Sequence, residues 1–193
     1  TFALAGKKGE LSEDGRYVPL LLTGLVPTAL IALVFQAFLE SLFYNPYAVA
    51  IAYLAATPLL YAARTKSNRE RLNYTDAFLI GLFQGVGIVP GISRSGVTIG
   101  VGLLRGLGPQ TATKYSFLLS APTIIGAVAL ESTSFSVTDP SLGLYVAAVS
   151  VAAAVGYLSL RILLRTLQAN RYHLFACYTG ALGMLMLVTS STL

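Results

Sequence analysis

Apolar positions in this chain come in long unbroken runs separated by short polar gaps. The first run, residues 18–39, is long enough as a helix to cross about 30 Å of hydrocarbon. Pro27 inside it is tolerable where neighbouring helices satisfy the freed carbonyl. A gap over 40–45 follows, and Pro46 is placed to open a second span over 46–63, distorted near Pro58. Two runs, 74–89 and 95–108, flank a Pro-Gly break. Three more follow at about 114–130, 142–160 and 173–188. Residues 1–17 mix acids, bases and glycines and read as a solvated loop.

The two runs beside the break are the unusual ones. Residues 74–89 make only about 24 Å of helix at 1.5 Å per residue, and 95–108 make less. Neither crosses comfortably, and Pro90-Gly91 opposes one continuous helix. Charge distribution decides between a single crossing and a hairpin, because Lys and Arg concentrate on the inner face. The densest basic cluster is Arg64, Lys66, Arg69 and Arg71, with Glu70 the only acid among them. Placing it inside, a hairpin that enters and leaves by one face keeps Arg105 and Lys114 inside. Glu131 and Asp139 then fall outside, and Arg161, Arg165 and Arg171 inside again. A single crossing exports those later bases. The pattern therefore predicts an all-α polytopic membrane protein of one domain, with about five spanning helices plus one re-entrant helical hairpin. Two spans lie in 18–63, the hairpin in 74–108 and three spans in 111–190.

Composition supports a lipid solvent. The chain is 55% hydrophobic and only 11% charged, less than half the roughly 25% of a soluble domain. Its net charge of +5 lies mainly in the short loops, where it sets orientation and suits anionic headgroups. The expected partner is the bilayer, with no nucleic acid. Cys177 is the only cysteine, which excludes a disulfide framework and a thiolate metal site. His173, at the mouth of the last run, reads as a boundary residue.

Candidate chemistry gathers at the break. Arg94 is the only charged residue from Ala77 through Leu104, and an arginine at membrane depth costs about 2.5–3.5 kcal/mol on insertion scales. It needs a partner, yet the spans carry no acid away from their ends: Glu40, Asp76 and Glu131 lie near interfaces. A buried anion is the better reading. A helix beginning near Ser95 turns free N–H groups and its positive dipole end onto the break, an arrangement that suits phosphate. Arg94 adds a planar fork for phosphate oxygens. Ser93, Ser95 and Thr98 add hydroxyls, and a serine at this place can in principle attack phosphorus. Gly91 and Gly96 leave the wall bare. Gln84, six residues before Pro90, either reaches the tip or cross-links helices. The stretch is not a Walker loop, lacking its Gly-Lys-Ser/Thr ending. The core offers no carboxylate set for a divalent ion.

Gln84, the run Val89-Pro90-Gly91-Ile92-Ser93-Arg94-Ser95-Gly96-Val97-Thr98-Ile99 and the stretch Tyr115-Ser116-Phe117-Leu118-Leu119-Ser120-Ala121-Pro122 resemble the undecaprenyl-diphosphate phosphatase family, the bacitracin-resistance membrane phosphatases. The likeness extends over most of the chain. It implies a multi-pass enzyme of the cell membrane that removes the terminal phosphate of a polyprenyl diphosphate, recycling the carrier for envelope synthesis. It also implies two inverted repeats, each with a re-entrant hairpin. It assigns Ser93, Arg94 and Ser95 to catalysis, and Gly91, Gly96, Thr98 and Gln84 to substrate binding. The family's earlier motif, glutamate-rich and ending in Ser-Ser-Thr-Gly-His, is absent here and would precede Thr1. The chain is thus expected to be the second-repeat portion, and alone incomplete or inactive, because acid–base work needs Glu or His near the phosphate. No cofactor is evident, and Mg²⁺ or Ca²⁺ would enter only through that first motif. A homodimer is compatible with the pattern. The rival reading is a polyprenyl-phosphate flippase or anion transporter, since broken helices aimed at an anion also serve transport.

Overall fold

The computed structural model describes residues 10–63, 69–131, 142–169 and 171–190, without the side chains of 10–16, 130, 131 and 142. Eight helices run through the described residues: α1 Glu10–Val34, α2 Gln36–Phe43, α3 Pro46–Ala62, α4 Tyr74–Val86, α5 Arg94–Leu104, α6 Pro109–Glu131, α7 Leu142–Gln168 and α8 His173–Ser190. An isolated bridge between Arg69 and Leu107 is the one β-type pairing among them. The protein is an all-helical membrane protein.

Several boundaries differ from the sequence pattern. The expected loop over 1–17 is helical from Glu10 onward, and residues 1–9 lie outside the described residues. The first apolar run bends at Phe35 (φ −106°, ψ 14°) and continues as α2 through the expected gap. Glu40 does not stop it, because its carboxylate sits on an exposed helix face and accepts from Gln36 Nε2 at 2.9 Å. Helix α6 begins at Pro109, ahead of Lys114, since proline suits a helix's first position. Helix α7 runs on to Gln168, so Arg161 and Arg165 lie on helix rather than loop. Long basic side chains near a helix end reach the interface without ending the helix. Arg64, Lys66 and Asp139 lie outside the described residues.

Among the described residues, three helices have the length and apolarity of a membrane span: Tyr17–Val34 of α1, Gly143–Gln168 of α7 and His173–Ser190 of α8. Of the other two expected spans, α3 is a shorter apolar helix of 17 residues, and α6 is 23 residues long and carries Lys114, Ser116, Ser120 and Thr123.

Helices α4 and α5 are 13 and 11 residues long, about 20 and 16 Å at 1.5 Å per residue. Both are too short to cross alone. Helix α4 starts in a capping box: Asn73 Oδ1 accepts from Asp76 N at 2.8 Å and Asp76 Oδ2 accepts from Asn73 N at 3.2 Å. Helix α5 stops in a Schellman arrangement, with Leu107 N donating to Gly102 O and Gly106 N to Leu103 O. Gly106, at φ +81°, supplies the left-handed residue that motif needs. Asp76, fully buried, then accepts from Arg69 Nη2 at 2.8 Å and Arg105 Nε at 3.0 Å. Arg69 also donates to the carbonyls of Arg71 and Arg105 and accepts from Gly108 N. The start of α4 and the end of α5 are thereby tied at one place, so the pair forms an antiparallel hairpin.

Around the hairpin the helices meet through small and hydroxyl residues, which let backbones approach where apolar burial gives no drive in lipid. Helix α1 crosses α4 so closely that a Cβ on Gly81 would lie 2.0 Å from Gly24 O. Thr28 Oγ1 donates to Gly81 O at 2.7 Å across the same crossing. Tyr115 of α6 donates to Leu20 O of α1 at 2.7 Å. Helix α3 pairs with α8 through Thr57 and Thr179, 3.2 Å apart, with Gly183 under Leu54. Helix α5 lies in the middle, buried from Val97 through Leu103. Helix α7 is exposed over 143–159 and reaches the core through Leu163 and Leu167.

Gly81→Ala is expected to force α1 from α4 and cost about 1–3 kcal/mol, the range for overpacking a filled contact. Asp76→Asn, which leaves two guanidiniums without a counter-charge, is expected to cost roughly 1–3 kcal/mol. Thermal unfolding in detergent reads both, and a wild-type midpoint for either variant would contradict the packing described.

Candidate functional site

The connection between α4 and α5 is built from local rules. Ile92 N donates to Val89 O at 3.1 Å, closing a turn with Pro90 and Gly91 at its centre. Gly91 has φ +94°, the left-handed value that the third position of a type II turn requires after proline. The turn also presses on α3, where a Cβ on Gly91 would stand 2.6 Å from Val49 O. Ser93 then caps α5, its Oγ accepting from Gly96 N at 3.2 Å. The helix therefore begins at Arg94, one residue before the expected Ser95. No partner among the described residues takes the N–H groups of Arg94 and Ser95, so they carry the open, positive end of the α5 dipole.

That end borders a cavity of about 570 Å³, within the range of small-ligand sites. Gly91, Ser93, Ser95 and Gly96 line it at that end. Tyr53 and Leu60 of α3, Leu163 of α7 and Phe175 of α8 supply apolar wall opposite. The site thus couples a hydroxyl-lined helix end to a greasy recess, which suits a ligand with a charged head and an apolar tail.

The expected site residues divide into three groups. Ser93, Ser95, Gly91 and Gly96 are together on the cavity wall. Arg94 stands beside it but does not line it. It is half-buried, its Cα and Cβ pack over Gly87, and its guanidinium makes no hydrogen bond or ion pair among the described residues. Thr98 and Gln84 lie inside the helix packing rather than on the wall. Thr98 Oγ1 bonds the carbonyls of Arg94 at 2.9 Å and Ser95 at 3.2 Å, and meets the Ser116 hydroxyl of α6. Gln84 Nε2 points to Leu119 O and Thr123 Oγ1 at 3.5 and 3.4 Å, while its Oε1 has no partner among the described residues.

Two contributors escaped the sequence reading. Tyr172, just ahead of α8, is buried and donates from its phenol to Gly96 O, pinning the first turn of α5 to the opposite helix pair. Burial pushes that phenol well above its usual range, so it stays a donor. Nothing in an isolated tyrosine at a span boundary marks such a contact. Asp76 is the other: it reads as interfacial in sequence, yet is the fully buried acid at the hairpin's foot. Engaged by Arg69 and Arg105, it serves neither Arg94 nor a cation. A divalent ion needs several carboxylate oxygens, and among the described residues no three His, Cys, Asp or Glu side chains gather to hold one. The residues here do not fit such an ion by themselves.

Comparison with known proteins gives consistent matches. A family model described as bacitracin resistance protein BacA matches residues 2–185. The chain is 38% identical to an undecaprenyl-diphosphatase of Carboxydothermus hydrogenoformans, over 90% of this chain and 70% of that one. It is 34% identical to an undecaprenyl-diphosphatase of Moorella thermoacetica, over 95% and 71%. It is 36% identical to an undecaprenyl-diphosphatase of Methanothermobacter thermautotrophicus, over 89% of this chain and 99% of that relative.

Ser93→Ala is expected to cost about 1 kcal/mol through the lost cap, and Ser93→Gly only a few tenths. Amide exchange at Gly96 should quicken in the alanine variant. Unchanged exchange there would contradict the cap.

Proposed function

We propose that this chain, which belongs to the BacA family of bacitracin-resistance proteins, is a membrane hydrolase that converts undecaprenyl diphosphate to the monophosphate. It works in the cell membrane and returns the lipid carrier to envelope synthesis. The observation that carries this reading is the capped start of α5, with Ser93 and Ser95 on the wall of a cavity whose remaining lining is mainly apolar and aromatic. Few ligands need both; a prenyl diphosphate does.

In the reaction an oxygen nucleophile attacks the terminal phosphorus. The phosphoanhydride bond breaks, and the lipid monophosphate leaves with the bridging oxygen. Charge then accumulates on the transferring phosphoryl oxygens, so catalysis is chiefly positioning and electrostatic stabilisation. The N–H groups of Arg94 and Ser95 and the α5 dipole supply fixed positive potential at that point. Ser93 Oγ accepts from Gly96 N, which leaves its own proton free for a phosphate oxygen. Ser95 donates likewise. Arg94, without a counter-charge among the described residues, swings its fork onto the diphosphate. Gly91 and Gly96 keep the approach open, Thr98 holds the first turn of α5 in shape, and Gln84 braces α4 against α6. The prenyl chain lies in the recess between α3, α7 and α8.

The membrane arrangement follows the same logic. Helices α4 and α5 enter and leave by the inner face as a re-entrant hairpin, α1, α3, α6, α7 and α8 span, and the whole forms part of an inverted-repeat fold. Asp76, already engaged by Arg69 and Arg105, is not free for acid–base work.

Phosphate release by purified full-length protein in detergent tests the reading. Arg94→Ala is expected to lower turnover by about 10²–10³-fold, the range for removing one transition-state donor, with Arg94→Lys between. Undiminished turnover in Arg94→Ala would remove Arg94 from the mechanism. No release in detergent from wild type, where no compartments exist, would favour a transporter instead.

A further inference from the structure

A second hollow, of about 850 Å³, opens at the feet of the hairpin, away from the cavity above. Tyr17 and Leu20 of α1, the segment 70–72, the first turns of α6 and Gln168 of α7 enclose it. Leu20, Leu72 and the Tyr17 ring give the hollow apolar lining, and Arg71 and Lys114 give it cationic lining. Neither cation has a carboxylate partner among the described residues. Lys114 Nζ stands 4.8 Å from the Tyr17 ring centroid, a contact that places the ammonium without neutralising it. Glu70 also lies on the wall and pairs with neither. Asp76 is already shared by Arg69 and Arg105. Among the described residues, Arg69, Arg71, Arg105 and Lys114 around the feet thus face only Glu70 and Asp76. The start of α6 on the same wall adds positive dipole potential.

This excess of positive charge calls for an anion, and the geometry favours one attached to a lipid. Beside Tyr17, helix α1 presents Val18, Leu22, Val26 and Leu30 to the outside, four residues apart on one exposed face. A free phosphate would use the cationic lining alone, whereas a phospholipid uses both kinds of lining and continues along α1. We propose that this hollow binds the phosphate headgroup of an anionic membrane lipid, its phosphate between Arg71 and Lys114 and an acyl chain along the outer face of α1. Such a lipid would fasten α1 and α6 to the hairpin's feet at the interface, where basic residues meet anionic headgroups.

The test follows the thermal midpoint of the protein in neutral detergent while phosphatidylglycerol, phosphatidylcholine or inorganic phosphate is added, since a ligand that binds only the folded state raises it. Phosphatidylglycerol is expected to raise the midpoint saturably by several degrees. The double variant Arg71→Gln/Lys114→Gln should lose most of that shift, and the charge-keeping pair Arg71→Lys/Lys114→Arg should retain it. Arg161→Gln, exposed on α7 and outside the hollow, should retain it too. The two single variants are read in the same way should the double variant not purify. An equal shift in wild type and the charge-removing variants, or an equal shift from phosphatidylcholine, would overturn the site. A full shift from inorganic phosphate alone would overturn the lipid and leave a free-phosphate site.

Discussion

The structure hangs on one buried carboxylate. Asp76 has no exposed surface and receives two guanidiniums and the N–H of its own cap residue. A lone buried carboxylate would be costly, and removing either partner would expose that cost. The arrangement holds because each partner comes from a different part of the chain. Arg69 arrives from the segment before α4, Arg105 from the end of α5, and Asp76 from the first turn of α4. One ion cluster thereby sets where the hairpin starts and where it stops.

With its feet fixed, the hairpin's length decides where its tip lies. Arms of 13 and 11 residues bring the irregular backbone at their junction against α3 and the cavity. Irregular backbone needs its polar groups satisfied by its surroundings. Here Gly91 packs onto Val49 O of α3, and Ser93 caps the next helix beside a cavity. The polar end of α5 is therefore useful where it is, because burial on its remaining faces directs its open N–H groups toward the cavity.

Glycine and threonine do at the helix crossings what leucine does in a soluble core. Gly24 against Gly81 and Thr57 against Thr179 bring backbones close, and Thr28 and Tyr115 bond carbonyls of neighbouring helices. These contacts leave the apolar side chains free to face lipid, as the exposed row on α1 does. They also explain why a short, small-residue helix such as α5 can be buried on every side.

The sequence by itself determined the lipid solvent, the two short arms, the Pro-Gly turn and the phosphate-compatible helix start. Each follows from local chemistry: run length, the left-handed residue after proline, and a serine placed to cap. Family resemblance was legible for the same reason, because Pro90 through Thr98 is a contiguous stretch. The bend at Phe35 and the lengthening of α7 were not legible, since a helix ends where packing and hydrogen bonds end rather than where polarity rises. Only tertiary structure decided that Asp76 is buried, that Thr98 and Gln84 face into packing, that Tyr172 holds Gly96, and that Arg94 stands beside the cavity rather than on its wall. Those outcomes depend on which helices lie against one another, and contacts such as Tyr172 to Gly96, 76 residues apart in the chain, are fixed by three-dimensional packing that no local pattern encodes.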